Sequence, residues 1–242
     1  MLKKNFLLLL IFASNFFVLS SCEDRLFDNP FDPEASESVF EVVHRVNIPL
    51  TSPLGLAWDG NALWNVDGLS NQLYCLNSLT GSTIRTLTSP LPETTGVAYD
   101  GQDLWICSSS QTDIYKINLI NGSIQKRLIL QKGSFTSIEF GKDTLWLADA
   151  QSNKILEVSP QTGEILSSLF NPGIRISGLA YDGVYLWIAD SLTLSIYQLT
   201  TTGLVLKKFL SPGQSPRGLA FDGRYLWNAD GNQTIYQLNF KR

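Results

Sequence analysis

Four aspartates stand at matching places along the chain. Asp67, Asp149, Asp190 and Asp230 each close a short apolar run three residues after a tryptophan, and Ser108 takes the corresponding place in a fifth run. Carboxylates that converge in this way suit a hard cation such as calcium, or a cationic ligand, because such ions want several oxygens at once. An aspartate repeated once per unit also suits a turn, where its oxygens accept backbone N–H bonds, and that structural role is the expected one.

Residues that break the repetition say more about function, since a structural role recurs in every unit whereas a binding site needs one copy. Glu139 stands where the other units carry Ala57, Ala98, Ala180 and Ala220, which puts an acid near the axis of the assembly or between two units. Buried there, its carboxyl is expected to rise in pKa and to suit general acid or base work, or an ammonium ligand. Asn65 and Asn228 replace Ile106, Leu147 and Ile188, and with Asp67 and Asp230 they are expected to make a polar cluster. Arg217 is expected to project over that cluster and to favour a polar or anionic small ligand. The candidate binding set is therefore Asn65, Asp67, Glu139, Arg217, Asn228 and Asp230.

Several chemistries lack their residues. A serine or cysteine nucleophile needs a base beside it, and the sole histidine, His44, falls in a segment expected at an outer edge. No cluster has zinc or transition-metal spacing, and no cofactor is expected. Residues 22–242 keep 16 of the chain's 18 basic residues and all 22 acidic ones, so nucleic acid is not an expected partner. Cys75 and Cys107 fall at different places of the repeat, and a disulfide between them is not expected.

The elements that position these residues follow from the repeat itself. Leu63-Trp64, Leu104-Trp105, Leu145-Trp146, Leu186-Trp187 and Leu226-Trp227 recur at spacings of 41, 41, 41 and 40 residues. Before each pair lies a segment such as Gly55-Leu-Ala-Trp-Asp-Gly60, and after it an apolar pair such as Leu73-Tyr74, a turn such as Thr80-Gly81, and a further extended run. Asp-Gly and Asn-Gly between strand-like runs mark tight hairpins, so each unit offers four antiparallel strands and no helix. A sheet of about forty residues cannot bury both faces alone. Radial stacking buries them and ring closure protects the edges, which predicts an all-β five-bladed β-propeller over residues 39–242. The fifth unit lacks its fourth strand, and the stretch from Val39 to Leu50 has that strand's character, so the amino-terminal strand is expected to complete the last blade.

These motifs, Gly-Leu-Ala-x-Asp-Gly, Leu-Trp-x-Ala-Asp, Ile-Tyr-x-Leu and Thr-Gly-x-x-Leu, resemble the NHL and streptogramin-lyase-like class of propeller repeats from Val39 to Arg242. The resemblance implies that each blade's first strand is innermost and that the loops after the second and fourth strands share the ligand-binding face. It implies no single activity, because the class holds hydrolases, lyases, cyclases and non-catalytic binders. Phe135-Thr-Ser-Ile-Glu-Phe140 resembles the Phe-Thr-Gln-Gly segment of glutaminyl cyclase propellers. Here, however, Ser137-Ile138 replace Gln-Gly, and Leu147 stands where that family carries its key glutamate.

Ahead of the repeats, Lys3 and Lys4, an apolar run from Phe6 to Val18, and Leu19-Ser20-Ser21-Cys22 resemble the signal peptide and lipobox of bacterial lipoproteins. That resemblance implies cleavage after residue 21 and acylation of Cys22, followed by an acidic, proline-containing tether over 22–38. The expected protein is a monomeric cell-envelope lipoprotein, held at a membrane, the outer one by preference, through Cys22. Its propeller is expected to be a non-catalytic binding or scaffold module for a protein or small polar ligand. The alternative is a propeller lyase, cyclase or hydrolase using Glu139 and an aspartate of the same face.

Overall fold

The computed structural model describes residues 38–240. The proposed signal, tether and Cys22 lie outside them, as do Lys241 and Arg242. Strands β1 (Ser38–Val39) and β2 (Glu41–Asn47) precede the repeats. Blade one is β3 (Pro53–Trp58), β4 (Leu63–Asp67), β5 (Gln72–Leu76) and β6 (Thr83–Thr88). Blade two is β7 (Thr94–Tyr99), β8 (Leu104–Ser108), β9 (Asp113–Ile117) and β10 (Ile124–Ile129). Blade three is β11 (Phe135–Gly141), β12 (Thr144–Asp149), β13 (Lys154–Val158) and β14 (Ile165–Phe170). Blade four is β15 (Ile176–Tyr181), β16 (Leu186–Asp190), β17 (Ser195–Leu199) and β18 (Val205–Leu210). Blade five is β19 (Pro216–Phe221), β20 (Leu226–Asp230) and β21 (Thr234–Asn239), completed by β2.

Pairing within each blade is antiparallel, and β2 runs beside β21 from Glu41 opposite Asn239 to Asn47 opposite Thr234, which is the closure the sequence predicts. The same stretch also touches blade four, because β1 pairs in parallel with β18, Val39 opposite Leu210. Between the two strands Phe40 stacks on Phe209 at 4.3 Å, and Phe240 packs on Trp187 at 4.6 Å. Both ends of the described chain are thereby pinned to the blade four–five interface. His44 bonds the Leu79 carbonyl of blade one at 3.0 Å, a structural role on the outer strand.

Inter-blade packing follows from the register. Trp64, Trp105, Trp187 and Trp227 stand opposite Ala57, Ala98, Ala180 and Ala220, and the small alanine leaves room for the indole. Each apolar cluster joins two neighbouring blades, as where Trp64, Val66 and Leu73 meet Val97, Leu104 and Ile106. Burying one such side chain contributes roughly 1.5–3 kcal/mol, and no blade has the second face to do this alone.

The innermost strands approach one another so closely that a side chain has no room at one position. A Cβ on Gly55 would lie 2.6 Å from the Gly96 Cα, and one on Gly218 would fall on the backbone of Leu54 and Leu56. Blade three carries Ser137 there instead, and its hydroxyl accepts the Leu179 N–H at 3.0 Å.

The Asp-Gly turns do more than reverse the chain. Gly60 has φ of +93°, while Asp59 accepts the N–H groups of Asn61 and Ala62 through one oxygen and the Trp64 indole N–H, at 2.8 Å, through the other. Asp100, Asp182 and Asp222 hold Trp105, Trp187 and Trp227 in the same way. The two most visible motifs of each repeat are thus one hydrogen-bonded unit. Blade three departs again: Lys142 and Asp143 turn with φ of 53° and 61°, no aspartate reaches the tryptophan, and the buried Trp146 Nε1 has no partner.

Candidate functional site

The second strands end, and the innermost strands begin, on one face of the ring, and the repeated aspartates lie there as clamps between loops. Asp67 accepts the N–H groups of Thr51, Ser52 and Leu69, so one side chain ties the chain entering the blade to the turn leaving β4. Asp149 takes the Ser134, Gln151 and Ser152 N–H groups and the Ser152 hydroxyl. Asp190 takes four, from Ile174, Arg175, Leu192 and Thr193. Asp230 holds Ser215 and Asn232 at 2.8 and 2.9 Å. Burial pushes the Asp190 carboxyl up, but its four backbone donors together hold it below its ordinary value. In blade two Ser108 donates to the Pro92 carbonyl at 2.7 Å instead. Among the described residues no three His, Cys, Asp or Glu side chains group to hold a metal ion.

The structure does not bring Asn65 and Asn228 together. Asn65 stands opposite Leu56 and Tyr74, whose ladder packs on blade five, whereas Asn228 stands opposite Leu219 and Tyr236, whose ladder packs on blade four. Directly opposed residues share a face of the sheet. The expected polar cluster is therefore two separate pairs, Asn65 with Asp67 and Asn228 with Asp230, on different interfaces. Both asparagines are fully buried beside a bulge. Asn65 Nδ2 donates to the Leu54 and Gly55 carbonyls, and Asn228 Nδ2 to Gly218, where the ladder of the innermost strand is interrupted. Each leaves its Oδ1 without a partner.

Glu139 lies opposite Trp146 on the side of β11 that faces blade four, flanked by Ser137 and Gly141, so of the two sequence placements the inter-blade one holds. The residue is half-buried. Burial pushes its carboxyl well above the ordinary value, and the Phe140 N–H pulls weakly the other way. It forms no ion pair among the described residues.

Arg217 is the second residue of β19, where the other blades carry Leu54, Thr95, Thr136 and Ser177. The three hydroxyls there donate to carbonyls of the next innermost strand: Thr95 to Phe135 at 2.6 Å, Thr136 to Ile176 at 2.9 Å and Ser177 to Pro216 at 2.8 Å. Arg217 makes no such bond among the described residues. It is half-buried, its Nε lies over the Gly231 turn, and it forms no ion pair among the described residues. A neighbouring cleft of about 250 Å³ opens between blades three and four, lined by Thr136, Asp149, Asn153 and Arg175 among others. Arg175 was not among the sequence candidates. The available signal was its replacement of Ser52, Glu93, Ser134 and Ser215 just before the innermost strand.

Cys75 and Cys107 are free and buried, and burial raises the Cys107 thiol to about 12, which leaves it unreactive at neutral pH.

No family model and no curated protein matches the chain. Among solved structures, glutaminyl cyclase from Myxococcus xanthus superposes with a TM-score of 0.74 at 11% identity, covering 83% of this chain and 96% of that one. A catalytically inactive virginiamycin B lyase from Staphylococcus aureus with quinupristin gives 0.53 at 20% identity, covering 80% and 68%. A streptogramin B lyase gives 0.51 at 17%, covering 84% and 88%. The likeness is one of fold. The propeller is shared architecture, and the two enzyme types include the class whose repeats the sequence resembles.

Proposed function

We propose that the chain is a cell-envelope lipoprotein, anchored in the outer membrane through acylated Cys22. Its propeller is a non-catalytic binding module for a polar or anionic small ligand, or an acidic segment of a protein, at the ring mouth around Arg217. The observation that carries the binding role is the contrast between two sets of residues. Asp67, Asp149, Asp190 and Asp230 spend their oxygens on backbone donors, whereas the half-buried Arg217 guanidinium has no ion-pair partner among the described residues. A guanidinium in that position offers paired donors to a carboxylate or phosphate.

A thermal-shift panel of small carboxylates, phosphates and acidic peptides tests this reading. A ligand at a hundred times its dissociation constant adds about 2.7 kcal/mol, or about 5–10 °C for a domain of this size. The shift is expected in wild type and absent in Arg217→Ala. Lipidation is tested separately by metabolic labelling with palmitate, expected in wild type and lost in Cys22→Ser.

One observation favours a second reading. Burial pushes the half-buried Glu139 carboxyl well above its ordinary value, which favours the protonated form a general acid needs, and the glutaminyl cyclase of Myxococcus xanthus shares the fold. Cyclisation of glutaminyl peptides by wild type but not by Glu139→Gln would establish that enzyme and displace the binding role.

A further inference from the structure

An apolar arc runs from the outer strand of blade three along the rim of blade four. Phe170 is 82% exposed at the end of β14, and Ile174, four residues on in the same loop, is 61% exposed. The Arg175 carbonyl next to Ile174 accepts the Ser191 N–H beside Leu192, and the Leu194 carbonyl accepts the Ser211 N–H beside Leu210. Leu210 in turn pairs with Val39, so hydrogen bonds and strand pairing link six exposed apolar residues in a row. Blade one has Leu69 where blade four has Leu192, but Thr51, Asn71 and Thr88 where blade four has Ile174, Leu194 and Leu210.

Leu194 is the most telling member. Its φ is +54°, and the equivalent left-handed positions hold Asn71, Asn153 and Gln233. Left-handed backbone is disfavoured for a leucine and tolerated by asparagine, so neither local conformation nor solvation explains an exposed leucine there. Cations border the arc around Phe170 and Ile174, while at the Val39 end the exposed Glu41 accepts the Asn239 amide N–H at 2.8 Å. Lys154 lies 5.5 Å from the Phe170 ring and Arg175 is exposed, while the carboxylate beneath, Asp190, is wholly buried by its four backbone donors.

The arc ends where the chain enters the described structure, at β1. Fifteen residues lie between Cys22 and Ser38, and a chain of that length reaches at most roughly 55 Å. That reach exceeds what is needed to bring any one side of the ring to the bilayer, so the length alone selects no face and the surface itself must do so.

We infer that the rim running from Phe170 on blade three through Ile174, Leu192 and Leu194 to Leu210 and Val39 on blade four docks on the surface of an anionic lipid bilayer. Its aliphatic and aromatic side chains enter the interfacial region while Arg175 and Lys154 meet acidic headgroups. This orientation goes beyond the ligand-binding reading and does not depend on it. It shares only the bilayer with the anchor reading.

The test uses the full acylated chain on vesicles of phosphatidylethanolamine with a minority of phosphatidylglycerol. Cysteines introduced singly as Leu192→Cys and, in the turn between the outer strands of blade two, Ile120→Cys carry an environment-sensitive fluorophore, the native Cys75 and Cys107 being buried. Vesicle co-sedimentation reports attachment, and quenching by aqueous iodide reports the face. The fluorophore at position 192 is expected to be protected several-fold relative to position 120. That protection is expected to vanish in a Phe170→Asp, Ile174→Asp background whose unfolding midpoint stays close to wild type. Equal quenching at both positions in sedimenting protein would overturn the docking face and leave the anchor standing. Protection at 192 without vesicles that grows with protein concentration would assign the rim to a second copy and overturn the lipid proposal. Failure to sediment, with unprotected label at 192, would overturn both.

Discussion

At the scale of single residues, a side chain's value depends on whether the structure has already committed its polar atoms. Asp182 shows the committed case: it accepts the Val184 and Tyr185 N–H groups and the buried Trp187 indole N–H. Asp182→Ala is expected to cost about 2–3 kcal/mol, read as a lowered urea midpoint, because a buried donor loses its acceptor. Blade three already lacks this acceptor at Trp146, but Gly141→Asp is not expected to restore it. A Cβ at Gly141 would run into the Tyr181 ring, so that variant should be less stable than wild type.

Glu139 and Asp190 should give opposite pH signatures. The folded-state pKa of Glu139 is raised, so the native state holds its proton above the ordinary value of 4.5, where the unfolded chain has lost it. Stability therefore falls as pH rises from there towards the native value, and Glu139→Gln should melt above wild type at pH 8 and level with it at pH 4. Each unit of pKa shift corresponds to about 1.4 kcal/mol at most. Asp190 is depressed below its ordinary 3.8, so its contribution is present above that value and is lost as pH falls through the native one. Urea midpoints for Asp190→Asn should accordingly converge on wild type on strong acidification.

At the scale of elements, the repeat was legible because each blade has the same needs. A tryptophan needs a small neighbour, an acceptor and a turn, and those needs put Ala57, Asp59, Gly60 and Trp64 at fixed spacing. The bond from Asp59 to the indole was not legible, because the turn role alone already accounts for an Asp-Gly pair. The separation of Asn65 from Asn228 was hidden for a related reason. Adjacent blades suggested one cluster, but both residues occupy the same side of equivalent sheets and so face the previous blade in each case. Nor did any pattern announce β1, two residues that extend blade four before β2 completes blade five. Phe40 links the two, and Phe40→Ala is expected to cost about 3–5 kcal/mol by removing an aromatic buried against Phe209 and Trp187. Chemical denaturation of that variant checks the magnitude.

At the scale of the whole molecule, ring closure fixes which residues are available to a ligand. Symmetry gives four of the five blades a carboxylate on the same face, with Ser108 in blade two, and then occupies it with loops, so the repeated chemistry supports the fold and the single-copy chemistry is left for function. Among the sequence candidates at the ring mouth, Arg217 alone carries a charged group that finds neither an ion-pair partner nor backbone partners among the described residues. Crystals soaked in bromide, with anomalous scattering used to place the anion, test that claim without knowing the natural ligand. The account predicts a strong bromide peak at the Arg217 guanidinium in wild type that is gone in Arg217→Ala. A map with no peak there, and with bromide instead on scattered surface lysines, would contradict it.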